Sequence, residues 1–409
     1  MVHSVAYFLL AVGAVGIALT TAQVLLAAVF LRRGSNRPIK DTNSTVANAR
    51  GAGLGLTGHS PRISIIKPVS GIEDGLELNL ESFANLAGPS YELIISVADP
   101  DDPALPIINK ALSLFSEGTA RVIIGGACRM DNPKVERLVA AAKYAAGEIL
   151  LISDSNVRVS SDYLTRSLRE FEDPRVGCVV NLFVGDRAAS LGAALECLYI
   201  LTFVLPGTIL AALAGVTCVV GKSMALSRRV LDEIGGFEAF AEVLAEDQSI
   251  GLAVVQSGYR VTLSPFVVQN IVEKRTVVAA VKRQVRWGKM RYSFSKLRYT
   301  SEFLCNPMPL LLSASIVSYT AGLSTALTSV LLVGSAVVAR IMQAAAVNCL
   351  TGTRLPISSL TLVPVQDWIQ IAAQFIPYFS SSVDWRGFRT RLGRGTQILE
   401  PRKAVRSGA

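Results

Sequence analysis

Three short acidic clusters supply side chains that could do chemistry. They are Asp99, Asp101 and Asp102; Asp154 with Ser155 and Asn156; and Glu246 with Asp247. Carboxylates bind divalent cations and can accept a proton from an alcohol. The chain has only 2 histidines, His3 near the terminus and His59 in a predicted loop. Acid–base chemistry in this protein must therefore use carboxylates together with Lys and Arg.

A basic and aromatic cluster follows the acids. It comprises Arg283, Arg286 and Trp287, with Lys282, Lys289 and Arg291 around them. Such a cluster ahead of an apolar run is also typical of a membrane-interface anchor. Asp and Asn likewise favour turns and helix caps, and acids in the first turn suit the helix dipole. Two acidic loops at strand ends favour a site over turn formation alone.

Strands and helices alternate from Arg62 onward and would position these clusters. The predicted strands are Ile63–Ile66, Tyr91–Val97, Arg121–Ile124, Ile149–Ser153 and Gly177–Val184, and the predicted helices are about Glu73–Leu86, Ala104–Phe115, Pro133–Ala146 and Asp162–Glu172. This alternation predicts an α/β fold with a mostly parallel sheet, which binds ligands at the carboxyl ends of its strands. Two of the acidic loops lie at such ends, so we expect them to share one crevice.

The composition excludes a purely soluble protein. Of 409 residues, 51% are hydrophobic and 17% are charged. The runs 1–31 and 303–339 are uncharged and longer than the roughly 20 residues that cross a bilayer. Basic residues follow the first run, which predicts a signal anchor with its amino terminus outside and the globular part in the cytosol. The net charge of +9 is then explained by topology and by phosphate-binding cations, and not by nucleic acid.

Cofactor expectations are narrow. The 6 cysteines have no CxxC spacing, so neither disulfides nor zinc are expected.

The uncharged stretch 197–221 could itself span the membrane, but a single crossing would separate Asp247 and Arg283 from Asp99 and Asp154. We therefore predict that it is interfacial and broken at Pro206 and Gly207.

The domain prediction has five parts. Residues 1–33 form the transmembrane signal anchor, 34–61 a flexible linker, 62–300 the cytosolic catalytic domain, 301–385 a transmembrane hairpin with an interfacial helix, and 386–409 a basic cytosolic tail. The helix predicted within 365–383 is amphipathic. A fourth span there would put the basic tail outside, against the positive-inside rule.

Taken together, the ordered motifs resemble ceramide glucosyltransferase and its bacterial relatives, glycosyltransferase family 21. The motifs are Lys67-Pro68, Asp101-Asp102-Pro103, Asn132-Pro133-Lys134, Asp154-Ser155, Val220-Gly221-Lys222-Ser223, Glu246-Asp247, the RxxRW spacing, and Trp385-Arg386. The resemblance covers about Arg62 to the carboxyl terminus. It implies a GT-A-like nucleotide-sugar-binding domain, a bilayer, a lipid acceptor and a divalent cation, Mg²⁺ or Mn²⁺.

The resemblance also implies roles for individual residues. Asp99 would lie beside the uracil and ribose, Asp154 would hold the cation on the diphosphate, and Asp247 would be the general base. Lys67, Lys134, Arg283, Arg286 and Trp287 would bind substrate. Asn156 departs from the usual DxD pattern, because it stands where the second acid is expected. Glu246 is a rival base that should point away from the crevice if Asp247 faces it.

The leading hypothesis is an inverting transfer of one hexose, glucose by preference, from a UDP-sugar to the primary hydroxyl of ceramide, with no nucleic acid involved. A hopanoid polyol or diacylglycerol is an alternative acceptor, and galactose or glucuronic acid an alternative sugar. A catalytically silent lipid-binding scaffold is the alternative from another class. The expected location is the bacterial cytoplasmic membrane in preference to a eukaryotic endomembrane.

Overall fold

The computed structural model describes residues 2–36, 62–125, 130–385, 388–399 and 403–404. The predicted linker 34–61 lies outside these residues beyond Asn36, as do His59 and most of 400–409. The chain divides into two compact units. The sheet unit comprises Arg32–Val184 and Ala211–Ile271, and the helical unit comprises Met1–Leu31, Gly185–Leu210 and Val272–Ala409. Part of the predicted catalytic domain, 185–210 and 272–300, thus belongs to the helical unit.

An eight-stranded sheet forms the centre of the sheet unit. Its strands are β1 Ile63–Val69, β2 Tyr91–Val97, β3 Ala120–Ile124, β4 Ile149–Ser153, β5 Val157–Arg158, β6 Val176–Asp186, β7 Ser223–Ser227 and β8 Arg260–Ile271. Their order across the sheet is β3-β2-β1-β4-β7-β6-β8-β5. Every residue of β1 is buried, as expected for a parallel strand covered on both faces.

The parallel pairing predicted from the sequence is present in strands β1 to β4. Strand β1 pairs in parallel with β2 and with β4, and β2 pairs in parallel with β3. Beyond β4 the pairing is antiparallel, from β4 to β7 and from β7 to β6. The carboxyl ends of β2 and β4 consequently lie at the same edge of the sheet, where their acidic loops begin.

Short helices cover this sheet. They are α2 Leu76–Glu81, α3 Leu105–Leu112, α4 Pro133–Ala142, α5 Tyr163–Ser167, α8 Arg228–Glu233 and α9 Glu246–Gln256. Each predicted helix is present but shorter than expected. Helix α4 begins at Pro133, and the side chain of Asn132 accepts hydrogen bonds from the backbone N–H groups of Lys134 and Val135. The Asn-Pro-Lys motif is therefore a helix start that fixes the position of Lys134.

The helical unit contains the long apolar helices. Its helices are α1 Val2–Asn36, α6 Leu191–Tyr199, α7 Leu205–Leu213, α10 Val277–Phe294, α11 Lys296–Ser301, α12 Pro307–Thr320, α13 Ala326–Thr351, α14 Ile357–Leu360 and α15 Val363–Phe375. A small antiparallel sheet is formed by β9 Ser382–Trp385, β10 Phe388–Arg391 and β11 Lys403–Ala404. Two of these strands lie in the segment predicted to be a basic tail.

Three helices are long and apolar enough to cross a membrane, namely Val2–Arg33, Leu191–Leu213 and Ala326–Thr351, among the residues the structure describes. The pair Lys296–Cys305 and Pro307–Thr320 would be a fourth candidate if its 68° bend lay within one span. The apolar 18-residue stretch of Leu191–Leu213 is 89% buried, against 22% in Val2–Arg33 and 28% in Ala326–Thr351. These two helices therefore have the exposed apolar surface that suits contact with lipid.

The break predicted at Pro206 and Gly207 is wrong, because the helix continues from Leu191 to Leu213. A π-helical turn, Ile200–Val204, joins α6 to α7 directly before Pro206. Such turns accommodate a proline within a helix, and other side chains can bind the carbonyl that loses its N–H partner. The guanidinium of Arg340 lies 3.5 Å from the carbonyl oxygen of Thr202, four residues before the proline.

Helix α15 buries its polar residues together with Val363, Ile371 and Ala373, and it exposes other apolar residues. Gln366, Asp367, Gln370 and Gln374 are buried, whereas Val365, Trp368 and Phe375 are exposed. The helix has 13 residues, so its length of about 20 Å is short of the roughly 30 Å of a bilayer core. Residues 365–383 thus contain no helix long enough for a full span.

Candidate active site

Two acids in the loop after β2, Asp102 and Asp99, have different surroundings. Asp102 is buried, and its carboxylate accepts hydrogen bonds from the backbone N–H groups of Gly71, at 2.9 and 3.1 Å, and Ala104, at 2.9 Å. Asp102 therefore ties the end of β1 to the start of α3. Asp99 is exposed and accepts a hydrogen bond from the backbone N–H of Asp101. Of these two acids, Asp99 is the one accessible to a ligand.

Two lysine ammonium groups hold the carboxylate of Asp154, which follows β4. Lys134 Nζ lies 3.0 Å from Oδ1, and Lys222 Nζ lies 3.0 Å from Oδ2. Burial opposes ionisation, but both ammonium groups keep the pKa of Asp154 well below its usual range. Lys222 also donates to Asn156 Oδ1 at 2.9 Å. The amide that replaces the usual second acid thus accepts a hydrogen bond from a lysine.

Lys67 lies beneath the same loop and does not reach the surface. Its ammonium donates to Ser153 Oγ at 3.2 Å and to the carbonyl oxygen of Asp154 at 2.9 Å, and it lies over the ring of Phe83. Burial lowers its pKa to about 7 despite the nearby carboxylates of Asp154 and Glu73. Lys67 was predicted to bind substrate, whereas its position is that of a residue holding the Asp154 loop.

The two acids that open α9 have different partners. Glu246 is buried, with Oε1 at 2.9 Å from Lys134 Nζ and Oε2 accepting from Asn132 Nδ2 at 3.2 Å. Asp247 is partly exposed, and its carboxylate accepts from the backbone N–H groups of Gly221 and Gln248. A Cβ on Gly221 would lie 2.9 Å from Asp247 Oδ2, so only glycine permits this approach. Glu246 is committed to a salt bridge, which leaves Asp247 better placed to accept a proton.

Burial and the charge of Glu246 raise the pKa of Asp247 to about 6, although Lys134 and the two backbone N–H groups oppose the rise. A general base acts in its deprotonated form. If the protein transfers a sugar with Asp247 as its base, as the family resemblance implies, kcat/KM is expected to rise with pH through about 6 and to level off above it. A pH series from 5 to 8 at fixed ionic strength would measure this. A rate that is flat across the acid range would contradict the assignment of Asp247.

The RxxRW residues lie on α10 in the helical unit. Arg283 Nε is 3.3 Å from Glu196 Oε1, and its guanidinium lies 5.0 Å from the centre of the Trp287 ring. Glu196 is buried and also pairs with Arg275. The Trp287 ring is 6.1 Å from that of Tyr199. Arg283 and Trp287 therefore pack against each other and against Glu196 and Tyr199 within the helical unit, and Arg286 precedes Trp287 on the same helix. The acids described above belong to the sheet unit.

Lys222 is a site residue that sequence reasoning did not assign. It belongs to the Val220-Gly221-Lys222-Ser223 motif, but an isolated lysine next to a glycine gives no indication of its partner. The antiparallel pairing of β7 with β4 brings Ser223 opposite Ser153 and so places Lys222 beside Asp154. The sequence would have indicated this only if β7 had been predicted.

The residues around Asp154 could hold a divalent cation when phosphate oxygens and water complete its shell. The Asp154 carboxylate, 23% exposed, and the Asn156 amide oxygen are hard oxygen ligands of the kind that Mg²⁺ and Mn²⁺ accept. No group of three or more His, Cys, Asp or Glu side chains suited to a metal occurs among the described residues. A cation here would thus depend on oxygens brought by the substrate, where it would stabilise charge on a leaving diphosphate.

The fold has a counterpart among solved structures. The solved structure of mannosyltransferase PcManGT from Pyrobaculum calidifontis, a complex with GDP-Man and Mn²⁺, matches with a TM-score of 0.51 at 17% identity, over 89% of this chain and 99% of that one. The parallel strands with acidic loops at their ends therefore belong to a GT-A-like fold.

Sequence comparison gives the family. A model described as Glycosyl transferase family 21 matches residues 12–398, and the chain belongs to this family. Ceramide glucosyltransferase 3 of Caenorhabditis elegans is 26% identical over 352 residues, covering 84% of this chain and 75% of that protein. Ceramide glucosyltransferase 1 of the same organism is 28% identical over 232 residues, 56% of this chain and 50% of that protein. The protein is thus an enzyme, a UDP-sugar-dependent hexosyltransferase.

Proposed function

We propose that the protein transfers one glucose from UDP-glucose to the primary hydroxyl of ceramide, with inversion at the sugar carbon. The observation that carries the proposal is the pair of acids at the crevice, Asp154 held by two lysines and Asp247 left to accept a proton. The acceptor is inferred from the named relatives, both of which are ceramide glucosyltransferases. Inversion follows if the acceptor oxygen attacks opposite the departing diphosphate.

In this mechanism each residue of the site has its own role. Asp99 would bind the uridine end of the donor, and Asp154 would hold Mg²⁺ or Mn²⁺, which would supply positive charge near the diphosphate. Lys134 stabilises the negative charge that develops as UDP leaves. Asp247 removes the proton from the acceptor hydroxyl during its attack. Arg283, Arg286 and Trp287 on α10 are proposed to act on diphosphate and acceptor, as the family resemblance implies.

The proposed arrangement in the membrane places the sheet unit in the cytosol. Arg32 and Arg33 at the end of the first span favour this orientation by the positive-inside rule. Residues 1–33 are the anchor, the helices within 301–385 return the chain to the cytosolic side, and the tail from 386 stays there. The uncharged stretch 197–221 was predicted to lie at the membrane surface and admit the lipid, but the apolar stretch of the overlapping helix Leu191–Leu213 is 89% buried and offers little surface to a lipid.

A panel of substrates tests the proposal. Purified protein in lipid nanodiscs would be given ceramide, diacylglycerol or a hopanoid polyol, each with UDP-glucose, UDP-galactose or UDP-glucuronic acid. We expect ceramide with UDP-glucose to give the highest kcat/KM. A preference for diacylglycerol or the polyol would show that this lipid, and not ceramide, is the acceptor. UDP binding without transfer in any combination would favour the lipid-binding scaffold.

A further inference from the structure

Asp154, proposed above to bind a divalent cation, is already paired with two lysine ammonium groups. Lys134 and Lys222 take one oxygen of Asp154 each, at 3.0 Å. Both lysine side chains are mostly buried, with 15% and 7% exposed. A divalent cation on Asp154 would therefore lie beside two buried ammonium groups, and like charges at such distances repel strongly. In this arrangement the protein by itself is a poor cation site.

Besides Asp154, Lys134 and Lys222 each have another partner, and these partners differ in charge. Lys134 retains a carboxylate, Glu246, at 2.9 Å, and lies 3.4 Å from the carbonyl oxygen of Gly221. Lys222 has the neutral amide oxygen of Asn156 at 2.9 Å. An aspartate at this position would give Lys222 a second carboxylate, whereas Asn156 lets it leave Asp154 at a smaller electrostatic cost. Asn156, which stands where the second acid is expected, thus lowers the electrostatic cost of moving Lys222 away from Asp154.

The backbone supports the same interpretation. Gly221 donates its N–H to Asp247, and the next residue, Lys222, binds Asp154. The backbone N–H of Asp154 in turn donates to the carbonyl oxygen of Lys222 at 3.1 Å. One short segment before β7 therefore contacts both the proposed base and the proposed cation ligand.

We propose, on the basis of the function proposed above, that Lys222 is a donor-binding residue that moves from Asp154 to the diphosphate, with Lys134 beside it. Ammonium groups bind phosphate oxygens through charge-assisted hydrogen bonds. The move of Lys222 frees Oδ2 of Asp154 for the divalent cation, so nucleotide and cation bind together and not separately. By linkage, each strengthens the binding of the other by the same factor.

The test measures cation binding without sugar transfer. Mn²⁺ binding to the full-length protein in detergent would be followed by electron paramagnetic resonance, with and without UDP and without any acceptor. We expect UDP to tighten Mn²⁺ binding by about tenfold or more. In the Lys222→Met variant we expect Mn²⁺ to bind the free protein more tightly and the effect of UDP to shrink to about threefold or less. The Lys110→Met variant, which changes an exposed lysine paired with Glu77, should behave as the unmodified protein.

Two results would overturn the proposal: equal Mn²⁺ affinity with and without UDP in the unmodified protein, or an unchanged UDP effect in Lys222→Met. The first needs no variant, so it decides the matter even if Lys222→Met does not fold. Lys222→Arg, which retains the charge, should preserve the coupling. Coupled binding of Mn²⁺ and UDP in a protein that transfers no sugar would support this inference and contradict the proposed function.

Discussion

Replacing Asp247 with Asn should lower the rate of sugar transfer by about 10²- to 10⁴-fold, the usual contribution of a general base. The amide cannot accept the acceptor's proton, yet it has nearly the shape of the carboxylate and retains one oxygen for the backbone N–H of Gly221 or Gln248. Transfer would be measured in purified membranes, and UDP binding by calorimetry.

Two matched variants define what this result means. Asp232→Asn removes an exposed acid on α8 and should leave the rate unchanged. Glu246→Gln removes the salt-bridge partner of Lys134, so it should weaken donor binding more than it lowers kcat. An unchanged rate in Asp247→Asn, or a larger loss of kcat in Glu246→Gln, would move the general base from Asp247 to another group.

Replacing Arg340 with Leu should lower the free energy of unfolding by about 3–5 kcal/mol, the usual cost of removing one partner of a buried ion pair. Arg340 on α13 and Asp367 on α15 have no exposed side-chain surface, and their paired atoms lie 2.7 and 2.8 Å apart. The single replacement leaves the carboxylate of Asp367 buried without its cation. Thermal unfolding in a fixed detergent would measure the effect.

The control is the double variant Arg340→Leu with Asp367→Leu. It removes both charges, so it should recover most of the stability lost by the single change. Arg340 also contacts Gln343 and the carbonyl oxygen of Thr202, so recovery should be incomplete. A double variant as unstable as the single one would show that these other contacts, and not the ion pair, stabilise the packing of α13 against α15.

The sequence predicted the half of the sheet that follows a simple rule. Strands β1, β2 and β4 are short runs rich in Ile, Leu and Val that are followed by polar loops, and this pattern identifies both a buried parallel strand and the edge where ligands bind. Strand β7 has no such pattern because it is short and has a serine at each end. The position of Lys222 depends on β7, so it could not be inferred.

Other site features depended on contacts between distant parts of the chain. Asp99 and Asp102 look equivalent in the sequence, and only the hydrogen bond from Gly71 to Asp102 shows which one serves the fold. Lys67 looked like a cation for substrate, but its direction into the core is set by packing against Phe83. The proline at 206 predicted a broken helix, because the π-helical turn that accommodates it cannot be recognised from residue types.

The most direct test of the central claim is transfer from radiolabelled UDP-glucose to ceramide in membranes that contain the protein, with Mg²⁺ or Mn²⁺ present. The account predicts a single labelled lipid, a ceramide carrying one β-linked glucose, which forms with the unmodified protein and is lost with Asp247→Asn. An α-linked product would contradict inversion. Absence of any labelled glycosylceramide, in membranes where the protein binds UDP, would contradict the proposed function itself.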